Sequence, residues 1–499
     1  MKFLGIDVGT GGSRAVLIDT DGSVIASTTV EHAPFASPEI GWAEQDPRDW
    51  WRASAAAVRA LLADENVDSD EIAAVGLSGQ MHGAVFLNES DEVLRPSIIW
   101  CDQRTEKQCR ELTTKIGAEN LIRLVSNPAL TNFTLTKMLW LRDEEPEIWD
   151  QVRTVLLPKD YVRFRLTGDK ATEVSDASGT LMLDVENRKW SSEIMAAVGI
   201  GENLLPELYE SAEITGTISA KAAEETGLKA RTPVVGGAGD NAAGAIGMGI
   251  VRPGAVSVTI GTSGVVFAVT NSPSVDLRGR IHTFCHAAPN RWHNTGVTQA
   301  AGLSFRWFRD NFASNASYDE LVAEAAKITS GANGLLWTPY LMGERTPHID
   351  PHVRASLIGL TASHTKAHIV RAILEGVAFS LRDSIEIYKE LNIPIENIRL
   401  GGGGARSSLW RQIQADVYGQ TVEIVEAEEG AAYGAALLAG VGAGNWKAID
   451  EACCESIRIA ERIEPNDESS AILNHQYKAF RMVYSSLRSI MEIINTTIC

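Results

Sequence analysis

A motif written twice constrains this chain more than any other feature. Gly5 to Ile18 reads as an apolar strand, a turn Gly9-Thr10-Gly11-Gly12-Ser13-Arg14 and a second strand; Ala255 to Val269 repeats that order around Gly261-Thr262-Ser263-Gly264. Copies of one supersecondary unit half a chain apart imply duplicated domains that face each other across a cleft. The length agrees, because 499 residues exceed what one core ordinarily encloses. Each turn is made of Gly, Thr and Ser, so several N–H groups and a hydroxyl can converge on one anion. A single hairpin of this composition is commonly only a hairpin, and it is the duplication that gives it weight.

Charge narrows the ligand. A net charge of −19 with no basic run excludes a general nucleic-acid binder, so an anionic cofactor has to be held by backbone N–H groups, a metal ion and a few placed cations. The apolar fraction of 44% and charged fraction of 22% belong to a globular protein. Met1 to Asp7 enters a strand without a signal-peptide pattern, and no uncharged apolar run is long enough to span a bilayer, so the cytoplasm is the expected location. Cys101, Cys109, Cys285, Cys453, Cys454 and Cys499 are scattered with no Cys-x-x-Cys pair, which fits free thiols.

Val235 to Gly244 reads Val-Gly-Gly-Ala-Gly-Asp240-Asn241-Ala-Ala-Gly. Its glycines give room for a close neighbour and deliver Asp240 at a strand end, ahead of a small-residue helix. A helix-capping Asp has the same local sequence. Asp46-Pro47 predicts a helix running to about Ala63, with Trp50 and Trp51 in the core. Ile72 to Leu77 is a strand that ends in Ser78-Gly79-Gln80-Met81-His82-Gly83, a cluster able to hydrogen-bond neutral hydroxyls, although a satisfied buried histidine also reads this way.

Asp102 and Arg104, opposite charges two residues apart, more commonly pair with each other or face water than line a pocket. Thr172 to Thr180 looks like an ordered loop. Ile398 to Leu400 runs into Gly401-Gly402-Gly403-Gly404-Ala405-Arg406-Ser407, where four glycines between a strand and a helix let a ligand lie against backbone. Gly430 to Ala439 is a small-residue helix suited to packing near that loop. Leu473, Tyr477, Phe480, Tyr484, Leu487, Met491 and Ile494 trace one face of a closing helix.

Asp7-x-Gly9-Thr10, Gly261 to Gly264 and Gly401 to Ser407 resemble the two phosphate motifs and the adenosine motif of the actin, sugar-kinase and heat-shock ATPase superfamily. Ala355-x-Leu357-x-Gly359-Leu360, followed after seven residues by His368-Ile369-x-x-Ala372-Ile373-Leu374-Glu375, is similar to a signature of the FGGY carbohydrate kinases. Trp42 to Pro47, Gly79 to Gly83, Leu157-Pro158-Lys159-Asp160-Tyr161, Gly239 to Gly244 and Gly343 to Pro347 add to the likeness. Asn132 and Cys101 depart from the family's usual residues, which bears on sugar preference.

The resemblance implies an α/β protein with two ribonuclease H-like domains facing a central cleft, at 1–246 and 247–445, and a closing helical segment at 446–499. It implies ATP-dependent phosphorylation of a small-molecule sugar, with D-xylulose favoured by Gln80-Met81-His82 over ribulose, gluconate or glycerol. An actin-like ATP-driven switch is the competing class. ATP and Mg²⁺ are the implied cofactors, a homodimer is allowed, and neither nucleic acid nor membrane is an expected partner. By the same likeness Asp240 is the catalytic base and Asp7 holds Mg²⁺ through water. Gly9, Thr10, Gly11, Gly12 and Arg14, with Gly261, Thr262 and Ser263, cradle the phosphates. Gly402, Gly403 and Arg406 line the adenosine, and Gln80, Met81, His82, Asp240 and Asn241 bind the sugar.

Overall fold

In the computed structural model, which describes residues 1–64, 67–427 and 429–496, the two Gly-Thr turns join central strands of two large sheets. β1 (Lys2–Val8), β2 (Gly12–Ile18) and β3 (Val24–Glu31) form the expected antiparallel meander. α1 (Pro47–Asp64) starts where Asp46 Oδ1 accepts from the Arg48 N–H at 2.9 Å, and it buries Trp50 and Trp51. β4 (Ile72–Gly79) lies parallel to β1. Beyond α2 (Thr134–Glu144) and α3 (Pro158–Thr167), the chain returns through β5 (Ile214–Thr217), β6 (Pro233–Val235) and the short β7 (Ala238–Gly239) into α4 (Asp240–Gly247). The spatial order is β5-β6-β4-β1-β2-β3, with β7 beside β4.

The second half rebuilds this arrangement. β8 (Gly254–Ile260) pairs antiparallel with β9 (Gly264–Thr270), beyond which lie β10 (His282–Cys285) and β11 (Trp292–Thr298). After α5 (Ala301–Phe312) and α6 (Lys366–Glu390), β12 (Ile395–Gly402) lies parallel to β8, as β4 does to β1. α7 (Ser408–Tyr418), β13 (Val422–Val425), α8 (Gly430–Gly442), β14 (Ile459–Ile463) and α9 (Asp467–Thr496) complete the chain. The order is β10-β11-β9-β8-β12-β13-β14. Matching the seven-residue strands β1 and β8 puts Thr259 where the first copy has Asp7, so the carboxylate belongs to one hairpin only.

Each sheet has its own apolar core, with Leu4, Ile6, Trp50 and Leu77 in one and Val258, Phe305, Phe379 and Leu400 in the other. A third core joins them through α8. Its placement corrects the expectation that this helix packs near the Gly401–Ser407 loop: it lies on β1, β4 and α4. The reason is steric. A Cβ added at Gly5 would stand 1.9 Å from the Ala432 carbonyl oxygen, one at Gly76 2.0 Å from that of Ala435, and one at Gly434 1.9 Å from that of Ala243. Backbone meets backbone here, and only glycine permits it.

Other expectations change as well. Thr172 to Thr180 is a strand end at Ala171–Glu173 followed by two short helical turns, fully buried, because the Glu173 carboxylate accepts from the N–H groups of Ser175 at 2.7 Å and Asp176 at 2.9 Å. The segment from 446 onward is not wholly helical, since β14 forms the edge of the second sheet against β13. Along α9, Leu473, Tyr477, Phe480 and Met491 are buried, whereas Ile494 is 48% exposed, beyond the reach of the core. Cys101, Cys109, Cys285, Cys453 and Cys454 are free thiols, and Cys499 lies outside the described residues. Among the described residues no helix is long and apolar enough to cross a membrane.

Candidate active site

Three parallel strands end side by side. Asp7 of β1 and Ala238 of β7 both pair with Ser78 of β4, and Gly239 pairs with Gly79. Loops leaving the carboxyl ends of adjacent parallel strands are where α/β folds gather ligands. Asp7, the 80–82 loop and Asp240 therefore meet at one place. Burial and the charge of Asp7 push the Asp240 carboxyl up to about 7, against the Asn241 N–H at 2.7 Å and the Asn241 Nδ2 at 3.0 Å. Such a carboxyl is half ionised at neutral pH and strongly basic for its kind, which suits proton abstraction. Burial also raises the Asp7 carboxyl, with Ser78 and Arg14 pulling the other way, and its Oδ1 is buried without a hydrogen-bond partner.

The first hairpin is braced from behind. Gly9 N–H closes the turn on Gly12 O at 3.0 Å, and Gln80 Nε2 donates to Gly9 O at 3.3 Å and to Gln45 Oε1 at 2.9 Å. Gln45 Nε2 donates to Thr10 O at 2.7 Å, and Trp100 Nε1 to Thr10 Oγ1 at 2.9 Å. Gln80 Oε1 in turn accepts from Thr10 Oγ1 at 3.4 Å. Both ends of the Gln80 amide, expected to contact the sugar, are thus engaged by the hairpin and Gln45. Arg14, expected to contact phosphate, lies across from Asp7 on β2, and its guanidinium reaches Glu429 at 3.5 Å and Ser27 at 3.4 Å, joining the hairpin to the start of α8.

The second hairpin sits on the N-terminus of α5, where the Gly302 N–H donates to Gly261 O at 2.9 Å and the Leu303 N–H to Thr262 O at 3.1 Å. A cavity of about 440 Å³ opens beside it, lined by Gly261, Thr262, Gly403 and Arg406 from among the expected residues, together with Phe305, Arg306, Tyr318 and Asp319. Its size suits a nucleoside. Ser263 and Gly402 stand outside the lining. Gly402 instead makes the turn: its φ is 71°, and a Cβ there would lie 2.5 Å from Ile260 O.

On the other side of Asp240, Met81 packs so tightly between Gly239 and Gly179 that a Cβ on either glycine would come within 3.0 and 2.9 Å of it. Asn241 Nδ2 reaches the Met81 Sδ at 3.9 Å. His82 has φ 70° and its Nδ1 lies 2.7 Å from Gly179 O. Burial pushes its pKa down to about 3, so at neutral pH the ring is uncharged; assigning the proton to Nδ1, which donates to Gly179 O, leaves Nε2 an acceptor. Phe133 meets the ring edge-on at 5.1 Å, and Phe284 from the second half lies 6.3 Å away.

Behind Asp240 lies a group whose arrangement the motifs did not disclose. Lys159 Nζ stands 2.6 Å from Asp160, 3.7 Å from Glu173 and 3.7 Å from Asp176, all with fully buried side chains. The Gly239 N–H, one residue before Asp240, donates to Ser175 Oγ at 3.2 Å, and Ser175 Oγ donates to Glu173 at 3.0 Å, so the turn that carries Asp240 hangs on this cluster. Its signal in the sequence was the acidic and hydroxyl content of Thr172 to Thr180 next to the Lys159-Asp160 pair.

Duplicated sheets with a Gly-Thr hairpin in each half, set about an aspartate-bearing cleft, define an actin-like ATPase fold of the sugar-kinase type. The N-terminal domain of the FGGY family of carbohydrate kinases matches residues 2–247 and its C-terminal domain residues 256–443. The chain belongs to the FGGY family of carbohydrate kinases and is an ATP-dependent sugar kinase. It is 40% identical to the xylulose kinase of Bacillus subtilis over 100% of this chain and 99% of that one. It is 30% identical to the gluconokinase of the same organism, over 98% of this chain and 96% of the relative. The crystal structure of xylulose kinase from Rhodospirillum rubrum superposes with a TM-score of 0.92 at 28% identity, covering 99% of this chain and 100% of that one.

Proposed function

We propose that this kinase transfers the γ-phosphoryl group of ATP to the terminal hydroxyl of D-xylulose, giving D-xylulose 5-phosphate and ADP. The observation that carries the reading is Asp240, raised to about 7 and standing across the end of the strand Ile72–Gly79 from Asp7, where that strand runs into the Met81–His82 loop. As the sugar oxygen bonds to the γ-phosphorus, its proton passes to Asp240 and the β,γ-bridging oxygen leaves with ADP. A positioned base typically contributes ~10²–10⁴-fold in rate. The N–H groups of Gly9 to Gly12 and of Gly261 to Ser263 would cradle the phosphates, and Gly403 and Arg406 would border the adenosine. Met81, His82 and Asn241 would contact the sugar.

Asp7 fits a magnesium ion: its Oδ1 is buried without a partner, and magnesium favours one or two carboxylates with phosphate oxygens and water. When bound, the ion neutralises charge on the transferring phosphate. The matched ranges support a division near residue 250, with α8 returning to the first domain. Free thiols at Cys101, Cys109, Cys285, Cys453 and Cys454 support a reducing, cytoplasmic setting. Full-length likeness to xylulose kinases favours D-xylulose, while the gluconokinase relative makes gluconate the sugar acid to include. Sugar-dependent ADP release across D-xylulose, L-xylulose, D-ribulose, L-ribulose, D-fructose, gluconate, glycerol and xylitol tests the proposal. Selective turnover of D-xylulose is expected; preference for another member would discard the sugar assignment and keep the role of Asp240.

A further inference from the structure

Lys137 of α2 is 0% exposed, and its Nζ donates to the backbone carbonyls of His82 at 2.7 Å and Asn132 at 2.8 Å. Thr134 Oγ1 donates to the same His82 carbonyl at 3.1 Å. Asp102, the carboxylate that attracts this ammonium, is itself paired with Arg104 at 2.7 Å. Burial pushes the Lys137 amine down to about 7, and seating a polar group at this depth among backbone carbonyls is a cost that packing alone does not require.

The carbonyl it holds belongs to a residue in a strained conformation. His82 has φ 70°, in the left-handed region that only a few per cent of residues other than glycine occupy, histidine among the commoner of them, and the conformation persists where the surroundings hold it. The ring is fixed at one end by Gly179 O at 2.7 Å, and a Cβ on Gly179 would meet Nδ1 at 2.7 Å, so the seat is shaped to the imidazole. The main chain is fixed at the other end by Lys137 and Thr134. Releasing either side lets the residue relax to negative φ and swing the ring out of its seat.

We propose that Lys137 and Thr134 are positioning residues of the sugar pocket, which hold the His82 carbonyl and so keep residue 82 in the left-handed conformation that presents its imidazole to the sugar. The proposal rests on the reading of His82 as a sugar contact. It is tested by steady-state kinetics of the full chain carrying Thr134→Val, Thr134→Ser, Lys137→Met and, in parallel, His82→Ala, with sugar and ATP varied separately.

Loss of one hydrogen bond in Thr134→Val raises the sugar KM about threefold to tenfold while the ATP KM stays as in the wild type, Thr134→Ser returns the sugar KM toward the wild-type value, and Lys137→Met raises it further. An unchanged sugar KM in folded Thr134→Val, or equal rises in the sugar and ATP KM, overturns the proposal. Should Lys137→Met fail to fold, the Val and Ser pair at 134 decides alone. An unchanged sugar KM in His82→Ala instead removes the reading of His82 beneath it, an outcome distinct from failure of the clamp.

Discussion

Asp7 and Asp240 stand on either side of the end of the strand Ile72–Gly79, and the charge of the first raises the proton affinity of the second. With the Asp240 carboxyl near 7 and Asp240 as the proposed base, the acid limb of kcat/KM is expected close to neutrality, with activity falling as the pH drops below it and Asp240 is protonated. Asp240→Asn should keep its fold and its ATP affinity yet lose turnover by about 10²-fold or more. Initial rates from pH 5.5 to 9, together with calorimetric ATP titration of the variant, check both statements.

Gln80 belongs to the phosphate hairpin by its hydrogen bonds. Gln80→Ala should therefore raise the KM for ATP by about threefold to tenfold and leave the sugar KM near the wild-type value. The opposite split would return Gln80 to the sugar.

His293 is buried, stacked on Phe267 at 4.1 Å, with neither ring nitrogen hydrogen-bonded, and burial holds its pKa well below the usual value. The folded state keeps this ring neutral, while the unfolded chain protonates it below about 6.5. Burial of the neutral ring therefore costs no stability above that pH and destabilises the fold progressively as the pH falls below it. His293→Phe removes the proton uptake and should be more favourable at pH 5 than at pH 8. Urea unfolding of both proteins at the two pH values measures the difference.

Gly434→Ala places a methyl carbon 1.9 Å from the Ala243 carbonyl oxygen, a contact that backbone cannot accommodate without moving. Overpacking of this kind costs about 1–3 kcal/mol, so a clear drop in the urea midpoint is expected. Gly444→Ala, where a Cβ would meet no atom within 4 Å but φ is 81°, gives the comparison for backbone strain without overlap.

The hairpins, Asp7 and Asp240 were legible because each is a local signal, glycine and hydroxyl residues at a strand end, and the repeat made them mutually supporting. The direction of Gln80 was not legible, because an amide beside a histidine looks the same whichever way it points; it is set by Gln45, itself held by Trp50 at 3.1 Å. Glu173 and Asp176 read as loop polarity because their burial depends on Lys159 arriving from another helix. Arg306, Tyr318 and Asp319 sit on ordinary amphipathic stretches, and only the meeting of the second hairpin with the glycine loop turns them into a cavity wall.

At Gly5, Gly76 and Ala243 the joint that α8 makes brings backbone directly against backbone. Mutation works by exchanging side chains, so this part of the molecule offers selection little to adjust. Side chains around Met81, His82 and Asn241 can be exchanged without touching that seam.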